Sequence, residues 1–420
     1  MAKLLVATVG GTPDPILITC RALKPDKVIF ISSKTSRPVV DTIVKTLKAE
    51  WPAFGPANYE DHHELPDPQD FGLCVRTIRR LTPTVMQWAQ RGSDYEVYVD
   101  ITGGTKSASA ALGLVAHRWP CRFVYVGGEK RDKDGLGNVL PGEGRPFFFA
   151  NPWDELGYQV HDDAVLLFNG HNYAAANELL MRSLTHGRIG SSTRRETLTL
   201  ARLAEAYSAW DRFQHSRAAK LLREVLEHVN DLRQLFGQAE GDELERTLRE
   251  HMKLLQSLQA NEATRELFLD LLSNAQRRSS EGRYDDAVAR LYRAIEALAQ
   301  YRLQSRYGIK TNNVERHHVP DELAAEWWTA DDAEPLKIGL RQAYQLLAAL
   351  GDDLGVRFQA IFLDDPDNDG ALGARNASIL AHGFQPVAEA VFQRLWNATL
   401  ELAEVDEKSL LKFPQLRLAY

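Results

Sequence analysis

The chain has 420 residues, a formal net charge of −7, 44% hydrophobic and 25% charged residues. That length asks for two or three domains, and the acidic balance excludes a surface that binds nucleic acid everywhere, so any RNA contact must be local. No apolar run reaches the roughly 18 residues of a membrane span, no signal peptide is expected, and Cys20, Cys74 and Cys121 are too few and too scattered for a disulfide framework.

The expected setting is therefore the cytoplasm, with three buried, reduced thiols. Residues 3–9, Lys-Leu-Leu-Val-Ala-Thr-Val, read as a buried strand opening into Gly10-Gly11-Thr12-Pro13. Lys27 to Ile31 form a second strand that ends in Ser32-Ser33-Lys34-Thr35-Ser36. The third, Tyr95 to Ile101, leads into Thr102-Gly103-Gly104-Thr105-Lys106, and Ser107 to His117 follows as a small-residue helix. Arg122 to Val126 is a fourth strand. The glycine-rich stretch from Gly127 to Gly144 reads as a hairpin extension returning through Pro146-Phe147-Phe148-Phe149, and Asn151-Pro152-Trp153 closes the domain. Apolar strands alternating with helices predict a parallel α/β sheet.

Open α/β sheets bind ligands beyond the carboxyl ends of their strands. Glycines let backbone N–H groups approach an anion, and a helix N-terminus adds a favourable dipole. The loops carry neither a Walker A pattern nor a Gly-x-Gly-x-x-Gly fingerprint, which disfavours an ATPase or a dinucleotide oxidoreductase. Two Gly-Gly-Thr loops and one Ser-Ser loop at one sheet edge point to a phosphate-rich ligand.

From about Gly157 the pattern turns helical. Phe168 to Ala176 and Glu281 to Ala287 share a glycine–tyrosine–alanine junction between helices, and Ala206 to Phe213 is a looser third case. Arg188, Arg194 and Arg195 flank Gly190-Ser191-Ser192, read as an exposed loop. His317-His318 reads as a solvated pair rather than a metal site, because no further ligands surround it in sequence. Helices are expected over Leu340–Leu354 and Val387–Val405, with another between them carrying Arg375 and His382, and together they suggest a bundle.

Three Arg-before-His pairs occur at offsets of five to seven: Arg223/His228, Arg246/His251 and Arg375/His382. Chance supplies that many. The two pairs at offset five diverge by about 140° around a helix and read as solvated faces. Seven steps of about 100° bring Arg375 and His382 to nearly the same face of the expected helix. An imidazole that moves protons beside a guanidinium that holds charge on phosphorus suffices to cleave a phosphodiester.

With both regions in view, the chain resembles the CRISPR-associated CARF–HEPN ribonucleases of type III systems, with one domain of each kind per chain. Asp100-Ile101-Thr102-Gly103-Gly104-Thr105-Lys106 is similar to the CARF loop that holds a cyclic oligoadenylate, and Arg375-Asn376 with His382-Gly383 is similar to the HEPN motif. The gap of six residues lies at the long end of that motif's range.

The resemblance implies a Rossmann-like parallel-sheet CARF domain over 1–155, an all-α connector over 156–265 and an all-α HEPN bundle over 266–420. It implies Gly10, Gly11, Thr12, Ser32, Ser33, Thr102, Gly103, Gly104, Thr105 and Lys106 as ligand contacts, and Arg375, Asn376 and His382 as catalytic residues. It further implies a homodimer, cyclic oligoadenylate as allosteric activator, single-stranded RNA as substrate, a 2′,3′-cyclic phosphate product and no catalytic cofactor or metal. Neither a membrane nor DNA is an expected partner. The alternative is a non-catalytic nucleotide sensor whose helices bind a protein. Slow cleavage of the ligand by the first domain is a weaker third reading, because no residue there reads as a general base.

Overall fold

The computed structural model describes residues 1–90, 94–128, 144–185, 190, 193–258, 263–328, 335–378 and 384–419. They form two compact units, Met1–Val160 with Ser183–Arg194 and His161–Arg182 with Arg195–Tyr420.

The first unit runs β1 (Ala2–Thr8), α1 (Asp14–Leu23), β2 (Lys27–Ser32), α2 (Arg37–Glu50), β3 (Tyr59–Glu64), α3 (Phe71–Arg79), α4 (Thr82–Ala89) and β4 (Tyr95–Asp100). It continues with α5 (Lys106–Ala116), β5 (Arg122–Gly127), β6 (Arg145–Ala150) and α6 (Pro152–Glu155). The sheet order is β3-β2-β1-β4-β5-β6, parallel except for β6, which pairs antiparallel with β5. That is the doubly wound arrangement, with its switch point between β1 and β4.

Why the central strands read as continuous apolar runs follows from their burial on both faces. Leu4, Val6, Ile29, Ile31, Val97 and Val99 face a core completed by Cys74 and Ile78 of α3, Val85 of α4 and Ala108 and Leu112 of α5. Their alternates Leu5, Ala7, Val28, Phe30 and Tyr98 face Ile16, Leu17 and Cys20 of α1 and Val40 and Ile43 of α2. All three cysteines are free and buried, and burial pushes the thiols of Cys20 and Cys121 up to about 12.

One departure from the sequence reading concerns an edge, while the expected hairpin return is found. β3, Tyr-Glu-Asp-His-His-Glu, is a strand that the sequence reading missed. It is polar because it pairs on one side only, with β2. The return strand after the glycine-rich stretch is β6, and most of that stretch, residues 129–143, lies outside the described residues.

The helical remainder contains α7 (Tyr158–Asn169), α8 (Tyr173–Thr185), α9 (Arg194–Asp211), α10 (His215–Glu227), α11 (Val229–Phe236) and α12 (Gln238–Ser257). There follow α13 (Arg265–Ser280), α14 (Tyr284–Tyr307), α15 (Asp321–Trp327), α16 (Leu340–Ala349), α17 (Asp353–Phe358), α18 (Pro366–Ala377) and α19 (Glu389–Ala403). The core of the last seven centres on α14, whose Val288, Leu291 and Ile295 are fully buried among residues such as Leu272, Leu347, Phe362 and Leu395. Tyr344 of α16 stacks on Phe358 of α17 at 3.9 Å and donates its hydroxyl to the Ile295 carbonyl at 2.8 Å.

One pair assigned to a solvated face is only half so. His251 is 3% exposed, and it shares a 2.8 Å hydrogen bond with the Tyr207 hydroxyl. A partner on another helix, invisible to local periodicity, made burial possible. Of the basic cluster, Arg188 lies outside the described residues. Arg194 donates to the Leu184 carbonyl and Arg195 to Asp231.

Candidate functional sites

The β1 and β4 loops meet at the switch point, glycine against glycine. A side chain on Gly103 would collide with the Thr8 carbonyl, and one on Gly10 would lie 2.9 Å from the Gly104 nitrogen. Gly104 itself adopts φ +85°, a left-handed conformation that favours glycine. The Gly103 carbonyl accepts from the hydroxyls of Thr8 and Ser109, both at 2.6 Å, which fixes the loop against β1 and α5.

A cavity of about 250 Å³ opens above this contact, lined by Gly10, Gly11, Ser33, Thr35, Ser36, Gly104 and Thr105 together with Val9, Ile31, Leu65, Pro68 and Ala108. Five of the expected contacts, Gly10, Gly11, Ser33, Gly104 and Thr105, therefore share one cavity. Thr12 and Lys106 are exposed and do not line it; Lys106 begins α5. Ser32 is 1% exposed, and its hydroxyl has no hydrogen-bond partner among the described residues.

Thr102 and Gly103 also lie outside the lining, for a legible reason. The Thr102 hydroxyl accepts the Val126 N–H at 2.7 Å and its own N–H donates to Asp100, so its polar groups hold β4 to β5. Thr105 caps α5 by accepting the Ala108 N–H, and its hydroxyl donates to the Pro68 carbonyl. Thr35 and Ser36, absent from the expected contacts, enter because their hydroxyls bond to Ser33 and fold that loop inward.

Beneath the cavity Asp100 is wholly buried, held by the Thr19 hydroxyl at 2.5 Å and the Thr102 N–H at 2.9 Å. Burial raises its carboxyl above the ordinary range, against the opposing pull of those two donors.

In the second unit α18 begins with Asp365, whose carboxylate accepts the N–H groups of Asp367 and Asn368, and with Pro366 at its first position. It ends at Ala377. Ser378 is extended (φ −76°, ψ 158°), and both its N–H and its hydroxyl donate to the Arg375 carbonyl. Arg375 and His382 are thus not carried by one helix, which corrects the expected stacking on a common face. Serine competes for the last-turn carbonyls and halts a helix that its alanine and leucine neighbours would continue.

Arg375 is half-buried, its guanidinium 5.1 Å above the Tyr292 ring of α14. The backbone of Asn376 belongs to α18, while its side chain and all of His382 lie outside what the structure describes. The rings of His317 and His318 lie 4.0 Å apart, tilted by 44°, in a short turn, with His317 3.2 Å from Glu315. Among the described residues no group of three or more His, Cys, Asp or Glu is arranged to hold a metal, and no helix is long and apolar enough to cross a membrane.

Residues 156–256 match the family model of the Csm6 6H domain, and residues 256–406 that of the Csm6 HEPN domain. Among solved structures, Enterococcus italicus Csm6 bound to cyclic hexa-2′-fluoro-hexa-dAMP is similar over 98% of this chain and 97% of its own, at 14% identity and a TM-score of 0.51. That likeness extends the shared fold to the first unit. Can2 from Sulfobacillus thermosulfidooxidans, in complex with cyclic tetra-adenylate, is similar over 74% of this chain and 71% of that one, at 13% identity and a TM-score of 0.25. No curated protein matches the sequence.

Proposed function

Since this chain belongs to the Csm6 family of CARF–HEPN proteins, we propose that it is a cyclic-oligoadenylate-activated, metal-independent endoribonuclease of type III CRISPR antiviral defence. The observation that carries this reading is the glycine and hydroxyl cavity at the switch point, on a chain whose residues 256–406 match a ribonuclease domain. The first unit, expected as residues 1–155, senses the ligand. Residues 156–265 connect it to a HEPN domain over 266–420. The protein works in the cytoplasm as a homodimer on single-stranded RNA.

The chemistry follows from the residue types. The RNA 2′-hydroxyl attacks the adjacent phosphorus, forming the 2′-O–P bond as the bond to the 5′-oxygen breaks. His382 moves the proton, Arg375 holds the charge that builds on phosphorus, and Asn376 orients the site. Tyr292 gives the Arg375 guanidinium a flat surface to rest on, which limits its rotamers before substrate arrives. One arginine and one histidine make a thin site, and a facing pair from a second copy would supply acid, base and clamp together.

The test is cleavage of labelled single-stranded RNA by the full chain across cyclic oligoadenylates of increasing ring size. Activation by one ring size is expected. His382→Ala should lower cleavage about 10²–10⁴-fold while the ligand still binds, and EDTA should leave the rate unchanged. Lys106→Ala should raise the activator concentration for half-maximal cleavage about tenfold. Wild-type cleavage by the His382 variant, or loss of turnover on chelation, overturns the mechanism. Ligand binding with no cleavage at any ring size would instead make the chain a non-catalytic sensor.

A further inference from the structure

The three helix junctions singled out in the sequence meet around one cavity of the second unit. Gly170 to Ala174 at the α7–α8 junction, Asp211 to Phe213 at the end of α9, and Arg278, Glu281, Arg283 and Arg290 of the α13–α14 hairpin line a space of about 790 Å³. That is the size of cavity that buries a small organic ligand. At each turn one residue takes a positive φ: His171 63°, Phe213 58° and Gly282 71°.

Charge around this cavity is unbalanced. Among the described residues its lining carries the guanidiniums of Arg212, Arg278, Arg283 and Arg290 against the carboxylates of Asp211 and Glu281, and Arg277 and Asp286 pair with these groups from outside the lining. Those carboxylates are committed. Asp211 accepts from Asn274, Arg277 and Arg278; Glu281 pairs with Arg278 and Arg283; Asp286 pairs with Arg283 and Arg290.

Arg212 is exposed, just past the end of α9, and donates to the Ser208 carbonyl in that helix's last turn. Arg278 is 5% exposed, makes both ion pairs through Nη2, and its Nε has no partner among the described residues. A buried guanidinium with donors to spare is costly unless an acceptor arrives. Phe213, beside Arg212, adds a partly buried aromatic ring to the wall.

We propose that this cavity binds a nucleoside monophosphate, its phosphate held by Arg212 and Arg278 and its base against Phe213. Guanidiniums in excess select a phosphate, and the ring and the volume select a base attached to it. Residues 170–213 fall in the segment matched by the 6H model and residues 278–290 in that matched by the HEPN model, so the occupant ties the two together. The site is an input to the helical unit separate from the switch-point cavity.

Isothermal titration of the full chain with AMP, GMP, CMP, UMP and inorganic phosphate tests this. Expected is one saturable site per chain for at least one nucleotide, about tenfold or more tighter than for phosphate alone. Arg212→Ala should weaken it about tenfold at an unchanged melting temperature, whereas Gly11→Ala, in the other cavity, should not weaken it. The proposal is overturned by absence of saturable binding at millimolar nucleotide or by equal affinity for phosphate. Affinity unchanged in the Arg212 variant, or lost in the Gly11 variant, overturns it as well.

Discussion

Two glycines of the switch point have opposite duties, although they read alike in sequence. Gly103 is packed so closely on the Thr8 carbonyl that any side chain displaces backbone, whereas Gly11 faces open space on the cavity wall. Gly103→Ala should therefore destabilise the first unit by about 1–3 kcal/mol, as overpacking does. Gly11→Ala should leave the melting temperature unchanged and weaken cyclic-oligoadenylate binding. Thermal melts paired with ligand titrations separate the two effects; equal melting temperatures for both variants would refute the distinction. The loop's chemistry was legible, but the division of labour within it was not. Thr102 reads in sequence as a ligand contact, and its hydroxyl also accepts the Val126 N–H of the neighbouring strand.

Among the elements, the α9 and α13 helices are joined by a buried charge cluster. Asp211 is 9% exposed and receives Arg277 at 3.1 Å, Arg278 at 2.7 Å and the Asn274 amide at 2.9 Å. Arg277 also lies flat on Phe413, 3.8 Å from the ring centroid. Removing the carboxylate leaves two buried guanidiniums short of a partner. Asp211→Asn should cost about 3–5 kcal/mol in denaturant unfolding, and a loss below about 1 kcal/mol would mean that other groups neutralise the arginines. Strands β1, β2, β4 and β5 were readable because burial on both faces leaves an apolar run. The edge strand β3 was not, since one paired side requires no such run. The helix junctions were readable singly, but their convergence depends on packing between residues far apart in the chain.

At the scale of the molecule, two buried histidines couple stability to pH. Burial holds His161 and His251 down to about 4, the latter with help from the nearby Arg277 charge. Both are neutral in the folded chain over the range where an unfolded histidine, near 6.5, gains its proton. The unfolded state then binds more protons, so stability should be undiminished above about pH 7 and fall as pH drops from about 6.5 toward 4. The loss should reach about 3 kcal/mol per histidine. Urea titrations of His251→Gln against the wild-type chain across that range check the assignment; identical slopes would exclude His251. The stop of α18 at Ala377 has a mechanical meaning. Two groups on one helix move as a single rod, and separating them means breaking the rod. Here the rod that carries Arg375 ends two residues after it, with the Ser378 N–H and hydroxyl closing its last turn on the Arg375 carbonyl.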